Sequence, residues 1–250
     1  MKRETVTSAR NPLLVHLKKL LAARSYREAC GEFAADGTKL LEEAAKWYPG
    51  LETVVVQTGV ELCPLPEHVR VVEIPESLMR SVSQMEAPQG AIFICRLPEA
   101  RPAALRPGTL LLDGIQDPGN LGTILRTADA LEVPVVLLDG CADAYNPKTV
   151  RATMGAVFRT QPVRMTRAEA VQSCRAAGIP LLATAMSADA VDLRKKNLSG
   201  CAVVIGSEGR GVSAELFVAA DGKIIIPMNP RCESLNAAAA ATIVLWQMKC

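Results

Sequence analysis

Three short stretches of this chain hold residue types whose spacing could do chemistry. In Asp113–Ala128 (DGIQDPGNLGTILRTA) an apolar run closes on Asp113, Pro118 and Gly119 turn the chain, and a helix begins near Asn120. Asn120, Thr123 and Arg126, three residues apart, then share roughly one helical face. In Cys201–Val212 (CAVVIGSEGRGV) a second apolar strand ends in three glycines, which let a ligand approach the backbone, with Glu208 as an acceptor among them. In Ile224–Ala240 (IIIPMNPRCESLNAAAA) a third strand ends at Pro227, and Ser234, Leu235 and Asn236 open a helix of small residues. Two strand ends meeting a tight helix start make a narrow, backbone-lined slot, suited to a flat, polar cofactor. An amide such as Asn236, early in an otherwise apolar helix, needs partners that a ligand or a backbone loop would supply.

Each stretch also has a plainer reading. The first is an ordinary strand–turn–helix corner with Asn120 as N-cap and Arg126 in solvent, the second a tight loop, and Ser234 simply an N-cap. The glycine order GxxGxG is not the GxGxxG of a dinucleotide site, and the acid expected about 20 residues on is replaced by the apolar KIIIP. No GK[ST] follows, so it is not a phosphate loop either. A nicotinamide enzyme is therefore disfavoured.

The elements that would position these residues alternate regularly. After Leu97–Thr109 (LPEARPAALRPGT), the best linker candidate, strands are expected at Thr109–Asp113, Pro134–Asp139, near Arg159–Val163, at Leu181–Ala185, at AVVIG and at KIII. Helices are expected at Leu121–Leu131, from Pro147 to about Gly155, at Arg167–Ala177, at Ser213–Ala220 and at the C-terminal end. Such alternation predicts a parallel sheet covered on both faces, with a ligand at the carboxyl ends of its strands. Ahead of the linker, Asn11–Arg24 places Leu13, Leu14, Leu17, Leu20 and Leu21 on one helical face and Lys18, Lys19 and Arg24 off it. Thr38–Trp47 is a second helix, and Thr53–Thr58, Val69–Ile74 and Ala91–Cys95 are strands of a smaller N-terminal α/β domain.

Composition bounds the class. With 250 residues, 49% of them hydrophobic and only 4% aromatic, the chain can bury a full core built on Leu, Val, Ile and Ala. Net charge is +2, but residues 1–27 carry Lys2, Arg3, Arg10, Lys18, Lys19, Arg24 and Arg27 against Glu4 alone. That basic arm suits either nucleic acid or plain solvent. Eight cysteines at wide, irregular spacings without a CxxC pair suggest buried thiols in a reducing cytoplasm, not a disulfide frame or zinc site. The start has no uninterrupted apolar core before Lys18, so no signal peptide is expected. The uncharged run Ser234–Met248 falls short of the ~20 residues of a membrane span and is expected to be a buried terminal helix.

Taken in order, the three stretches resemble the three motifs of the SpoU (TrmH-like) RNA ribose methyltransferases of the SPOUT superfamily. TSARNPLL, FAADGTKLLEEA (Phe33–Ala45) and EAPQGAIF (Glu86–Phe93) resemble the RNA-binding domain that often precedes the catalytic one, and NPKTVRATMGAVFR (Asn146–Arg159) the catalytic domain's usual second helix. The resemblance implies an α/β protein in which residues 1–96 bind the RNA substrate, 97–108 link, and 109–250 form a parallel-sheet SPOUT domain with a C-terminal trefoil knot. It implies a homodimer, S-adenosyl-L-methionine as methyl donor, and transfer to a ribose 2′-hydroxyl without a metal. Donor contacts would come from Gly206, Ile226 and Leu235, with Thr184 and Met228 beside them. Arg126, acting across the dimer, would bind the RNA phosphate and 2′-oxygen or serve as base, with Asn120 close by and Glu208, Ser234 and Asn236 holding the arginine and the ribose. Pro230 departs from relatives that carry glycine there, which bears on the donor contacts. Ribosomal RNA is the expected substrate, ahead of transfer RNA. A SPOUT base methyltransferase and a non-catalytic RNA-binding protein are the other readings.

Overall fold

The computed structural model describes residues 3–99, 105–229 and 231–250. Lys2, residues 100–104 of the linker candidate and Pro230 lie outside them. In chain order the first elements are β1 (Arg3–Thr5), α1 (Pro12–Ala22), α2 (Arg24–Cys30), β2 (Glu32–Asp36), α3 (Thr38–Trp47), β3 (Leu51–Gln57), β4 (Arg70–Ile74), α4 (Glu76–Val82) and β5 (Ala91–Arg96). There follow β6 (Leu110–Asp113), α5 (Pro118–Ala130), β7 (Val135–Leu137), α6 (Pro147–Thr153), α7 (Ala156–Arg159), β8 (Val163–Arg164) and α8 (Arg167–Ala177). The last are β9 (Leu181–Thr184), β10 (Val191–Asp192), β11 (Ala202–Gly206), α9 (Ala214–Ala219), β12 (Gly222–Ile225) and α10 (Ala237–Gln247). Two compact units result, Met1–Glu99 with Tyr145–Arg159, and Ala100–Ala144 with Thr160–Cys250.

The first unit is a mixed sheet in the order β1-β4-β3-β5-β2. Its strands alternate, so neighbours along the chain go to opposite faces. Phe33, Val54 and Phe93 join Leu41, Val150, Val157 and Phe158 in one core, while Ala34, Val55 and Ile92 join Leu14, Leu17, Leu20 and Met79 in the other. α6 and α7 therefore pack in this unit, although strand–helix alternation had placed their residues with the C-terminal sheet. Arg159 ends α7 and is not part of the short strand expected there. The basic arm is also smaller than its sequence count. Lys18, Lys19 and Arg24 are exposed, but Arg27 is 2% exposed and donates from Nη1 to the Leu20 carbonyl at 2.7 Å.

The second unit is a seven-stranded sheet in the order β10-β12-β9-β11-β6-β7-β8, with every pair parallel. Both faces of its central strands are covered, which is why they are continuous apolar runs. Leu111, Val136 and Val204 pack with Ala170, Cys174 and Leu216 on one side. Register sets Gly206 beside Asp113 and Thr184 beside Ile224, so the carboxyl ends of four adjacent strands lie together.

The C-terminal helix α10 buries Ala241, Val244 and Leu245, and its small residues let it pack closely on α5. It is not buried all round as expected: Ile243 is 39% and Trp246 64% exposed. One side of this helix thus leaves large apolar side chains in solvent. No described helix is long and apolar enough to cross a membrane. All eight cysteines are free, and four of them (Cys95, Cys141, Cys174, Cys201) are buried. Burial pushes the Cys174 thiol up to about 11, which keeps it unreactive at neutral pH.

Candidate functional site

The carboxyl ends of β6, β11 and β12 carry the three stretches, and local capping decides how their side chains are aimed. Asp117, not Asn120, caps α5: its carboxylate accepts the Asn120 N–H at 2.8 Å, and Pro118 fills the first helical position. Asn120 thus lies in the first turn with its side chain available. Likewise Asn236, not Ser234, caps α10, its Oδ1 accepting the N–H groups of Ala238 at 2.9 Å and Ala239 at 3.2 Å. Asn236 Nδ2 then donates to Asn120 Oδ1 at 2.9 Å, and Asn120 Nδ2 donates to Glu208 Oε1 at 2.7 Å. One hydrogen-bonded chain therefore ties together residues 88 and 116 positions apart.

The loop that carries Glu208 is shaped by its glycines. Ser207 and Gly211 exchange backbone hydrogen bonds of 2.9 and 3.1 Å, which folds the loop back over Gly206. A Cβ on Gly206 would sit 2.0 Å from the Gly211 carbonyl carbon, and Gly211 itself has φ +67°. Below the loop, Asp113 is 2% exposed. Its Oδ2 accepts the Ser213 N–H at 2.7 Å, and its Oδ1 accepts from Arg167 at 2.8 Å. This carboxylate pins the end of the glycine loop to β6 and α8, a role that sequence spacing did not assign. The signal was there in part, as an acid closing a buried strand.

Asp113→Ala would leave that N–H unpaired and take from the partly buried Arg167 its nearer carboxylate, leaving it the Asp139 carbonyl at 3.0 Å and the Asp139 carboxylate at 3.9 Å. The expected loss of stability is about 2–4 kcal/mol, below the cost for a fully buried pair because Arg167 still reaches water. Denaturant unfolding measures it, and a loss under about 1 kcal/mol would show the tether to be dispensable.

Thr184, Gly206, Ile226, Met228 and Leu235 all line one cavity of about 410 Å³, together with Glu208 and Ser234. Its walls are mainly backbone and apolar side chains. The Thr184 hydroxyl is spent on the Val204 carbonyl at 2.9 Å. Ser234 is on the wall, and its hydroxyl makes no hydrogen bond among the described residues. Phe217 closes another part of the wall, with Lys223 Nζ 4.2 Å above its ring. Lys223 also donates to Asp189 at 2.7 Å, a bond that holds the Asp189 carboxyl below its usual range.

Arg126 stands apart from these residues. It is exposed on α5, makes no hydrogen bond or ion pair among the described residues, and lines a second, apolar cavity of about 650 Å³ with Leu131, Ile243 and Trp246. Ile226 lines both cavities. Six of the residues singled out by sequence therefore share the 410 Å³ cavity with Glu208, Asn120 joins Glu208 directly and Asn236 through Asn120, and Arg126 lines the other cavity.

The model of the SpoU rRNA Methylase family matches residues 107–246, more than half of the chain and all three motifs. The chain belongs to the SpoU rRNA methylase family. Residues 11–92 match an MRM3-like substrate binding domain. Among relatives, the chain is 34% identical to the 23S rRNA (guanosine(2553)-2′-O)-methyltransferase RlmP of Bacillus subtilis, over 98% of each chain. It is 30% identical to the 23S rRNA (uridine(2479)-2′-O)-methyltransferase of Streptomyces viridochromogenes, over 96% of this chain and 90% of that one. The crystal structure of an AdoMet-bound rRNA methyltransferase from Sinorhizobium meliloti superposes with a TM-score of 0.87 at 30% identity, covering 99% of this chain and 97% of that one. In this SpoU member the second motif is the glycine loop over Gly206, and the third supplies the Asn236 cap.

Proposed function

We propose that this protein transfers a methyl group from S-adenosyl-L-methionine to a ribose 2′-hydroxyl of ribosomal RNA. The observation that carries the reading is the Asn236–Asn120–Glu208 chain at the lip of a cavity lined by Thr184, Gly206, Ile226, Met228 and Leu235. A cavity of about 410 Å³ has the size of a small-molecule site, and one built from backbone and apolar side chains suits an adenine and a thioether chain. Bound there, the donor supplies an electrophilic methyl group on a sulfonium. Gly206 and the loop above it hold the donor, and Asn120 and Ser234 orient the acceptor ribose beside it. Orientation of this kind supplies much of the rate when a neutral hydroxyl must attack in line.

Arg126 serves the site of a second copy. The exposed Ile243 and Trp246 beside it form the apolar surface that a homodimer would cover, and Arg126 at its edge would reach the partner's acceptor. The sheet order, in which β11 lies between β6 and β9, supports a knotted path for the C-terminal third. Residues 1–96, the region of the substrate-binding match, read the RNA through the exposed Lys18, Lys19 and Arg24; residues 109–250 do the chemistry, with 97–108 between them. Buried, free thiols fit a reducing cytoplasm. The ribosomal class is favoured over transfer RNA by the named substrates of the full-length relatives.

Labelled methyl transfer to unmodified total RNA, with ribosomal and transfer RNA separated and the nucleosides identified, tests the reading. The expected product is a 2′-O-methyl nucleoside in the ribosomal fraction. A methylated base would move the protein to base modification, and label confined to transfer RNA would replace the substrate.

A further inference from the structure

We infer that Phe217 faces the adenine of the methyl donor, and that Lys223 and Asp189 are positioning residues that hold its ring from behind; the inference rests on the methyl-transfer reading above. Phe217 is the single aromatic side chain among the described residues that line the 410 Å³ cavity. The donor is likewise flat at one end only, its adenine. A ring set against a purine gains from stacking beyond the apolar area it covers. Local packing decides where the ring points. Leu216, its neighbour in α9, is fully buried in one core with Val204 and Cys174, which fixes the rotation of the helix. Phe217 follows about 100° further round and reaches the cavity wall.

Lys223, on β12, then fixes the ring. Its Nζ stands 4.2 Å from the ring centroid and donates to Asp189 Oδ2 at 2.7 Å. A further cavity of about 590 Å³ is lined by Phe217, Val218, Lys223 and Asp189. Phe217 lines both cavities, whereas Lys223 and Asp189 line only this one. The ammonium is therefore on the side of the ring turned away from the donor, and the donor side stays open to a base.

The same arrangement selects the end of the donor that the ring receives. A bare aromatic face attracts cations, a sulfonium included. Here one cation already engages the ring, so a second across it is repelled and a neutral purine is not. An isolated, exposed ion pair contributes little. This one differs because the Lys223 side chain is only 24% exposed and lies on the ring, so Asp189 sets where the ammonium sits. Asp189 also belongs to the loop after β9, whose Met186 and Ser187 line the donor cavity, and its bond to Lys223 clips that wall to β12.

Lys223→Met keeps a long apolar stem for the ring and removes both the charge and the Asp189 bond. Donor affinity by calorimetry should fall about 5–20-fold, while single-turnover transfer at saturating donor stays within about twofold of wild type. 5′-Methylthioadenosine has the adenine, ribose and thioether without the amino-acid end, and its affinity should fall by the same factor. Lys223→Arg can still pair with Asp189 and lie on the ring, and should return donor affinity to within about threefold of wild type. In a Phe217→Leu background Lys223→Met should cost less than about twofold more, because the lysine acts through the ring. The inference is overturned if Lys223→Met binds the donor as wild type does, if methylthioadenosine affinity holds while donor affinity falls, or if the methionine costs as much beside Leu as beside Phe. Wild-type protein that bound no S-adenosyl-L-methionine would overturn instead the reading on which the inference rests.

Discussion

Replacing Arg126 by alanine is expected to slow methyl transfer about 10²–10³-fold, the cost of one preorganised donor at a site of developing charge, or about 3–4 kcal/mol. Donor affinity should stay within about twofold, because Arg126 lines a different cavity from Gly206 and Leu235, the two cavities sharing Ile226 alone among their lining residues. An arginine stays charged at any working pH, so the role proposed for it is to bind phosphate and the 2′-oxygen. Lysine at this position would keep the charge and lose the two-pronged geometry, and should recover only part of the rate. Calorimetry with the donor and single-turnover transfer to RNA separate the two effects. Transfer at the wild-type rate would remove Arg126 from the mechanism, and lost donor binding would place it in the pocket.

The chemistry-bearing stretches were legible because a parallel sheet writes its ligand site at strand ends. Asp113, Gly206 and Pro227 each close an apolar run; Gly206 lines the 410 Å³ cavity, and Asp113 tethers the loop beside it. What spacing could not supply was the aim of the side chains. Asn120 and Ser234 are both plausible caps by type, yet Asp117 before Pro118 and Asn236 before the alanines take those positions. Capping is settled by a difference of two or three residues, and at α5 that difference frees Asn120 to join Glu208. Only the folded chain brings the amides of two helix starts together, and one of them to the Glu208 carboxylate.

Other features escaped because their cause is tertiary. α6 and α7 carry an apolar face like any amphipathic segment, and periodicity does not say which sheet will cover it; Val150 and Phe158 settle that by packing with Phe33 and Phe93. Arg27 looks like a member of a basic face, but its guanidinium turns inward to the Leu20 carbonyl. In α10 a uniformly apolar helix predicts burial on all sides, whereas Trp246 and Ile243 remain exposed. Periodicity alone does not say which side of such a helix the core will leave uncovered.

Gly206→Ala is expected to abolish tight donor binding while leaving the sheet intact. The new Cβ would meet the Gly211 carbonyl carbon at 2.0 Å, the Val212 nitrogen at 2.1 Å and the Gly211 oxygen at 2.2 Å, all backbone atoms with no side chain to swing away. β11 is held between β9 and β6, so the loop must move and the strand cannot. Opening the loop breaks the Ser207–Gly211 pair and carries Glu208 off Asn120, at a cost of about 1–3 kcal/mol and up to about 100-fold in donor affinity. Calorimetry and thermal unfolding check the two halves of the prediction. Unchanged donor affinity would mean that the loop does not form the donor wall. The same variant also tests the dimer. Mixed with Arg126→Ala, it forms heterodimers in which one protomer keeps a sound pocket and the other a sound arginine, and random exchange should restore roughly a quarter of wild-type transfer. If Arg126 served its own protomer's pocket, neither site of the heterodimer would work, and mixing would restore nothing.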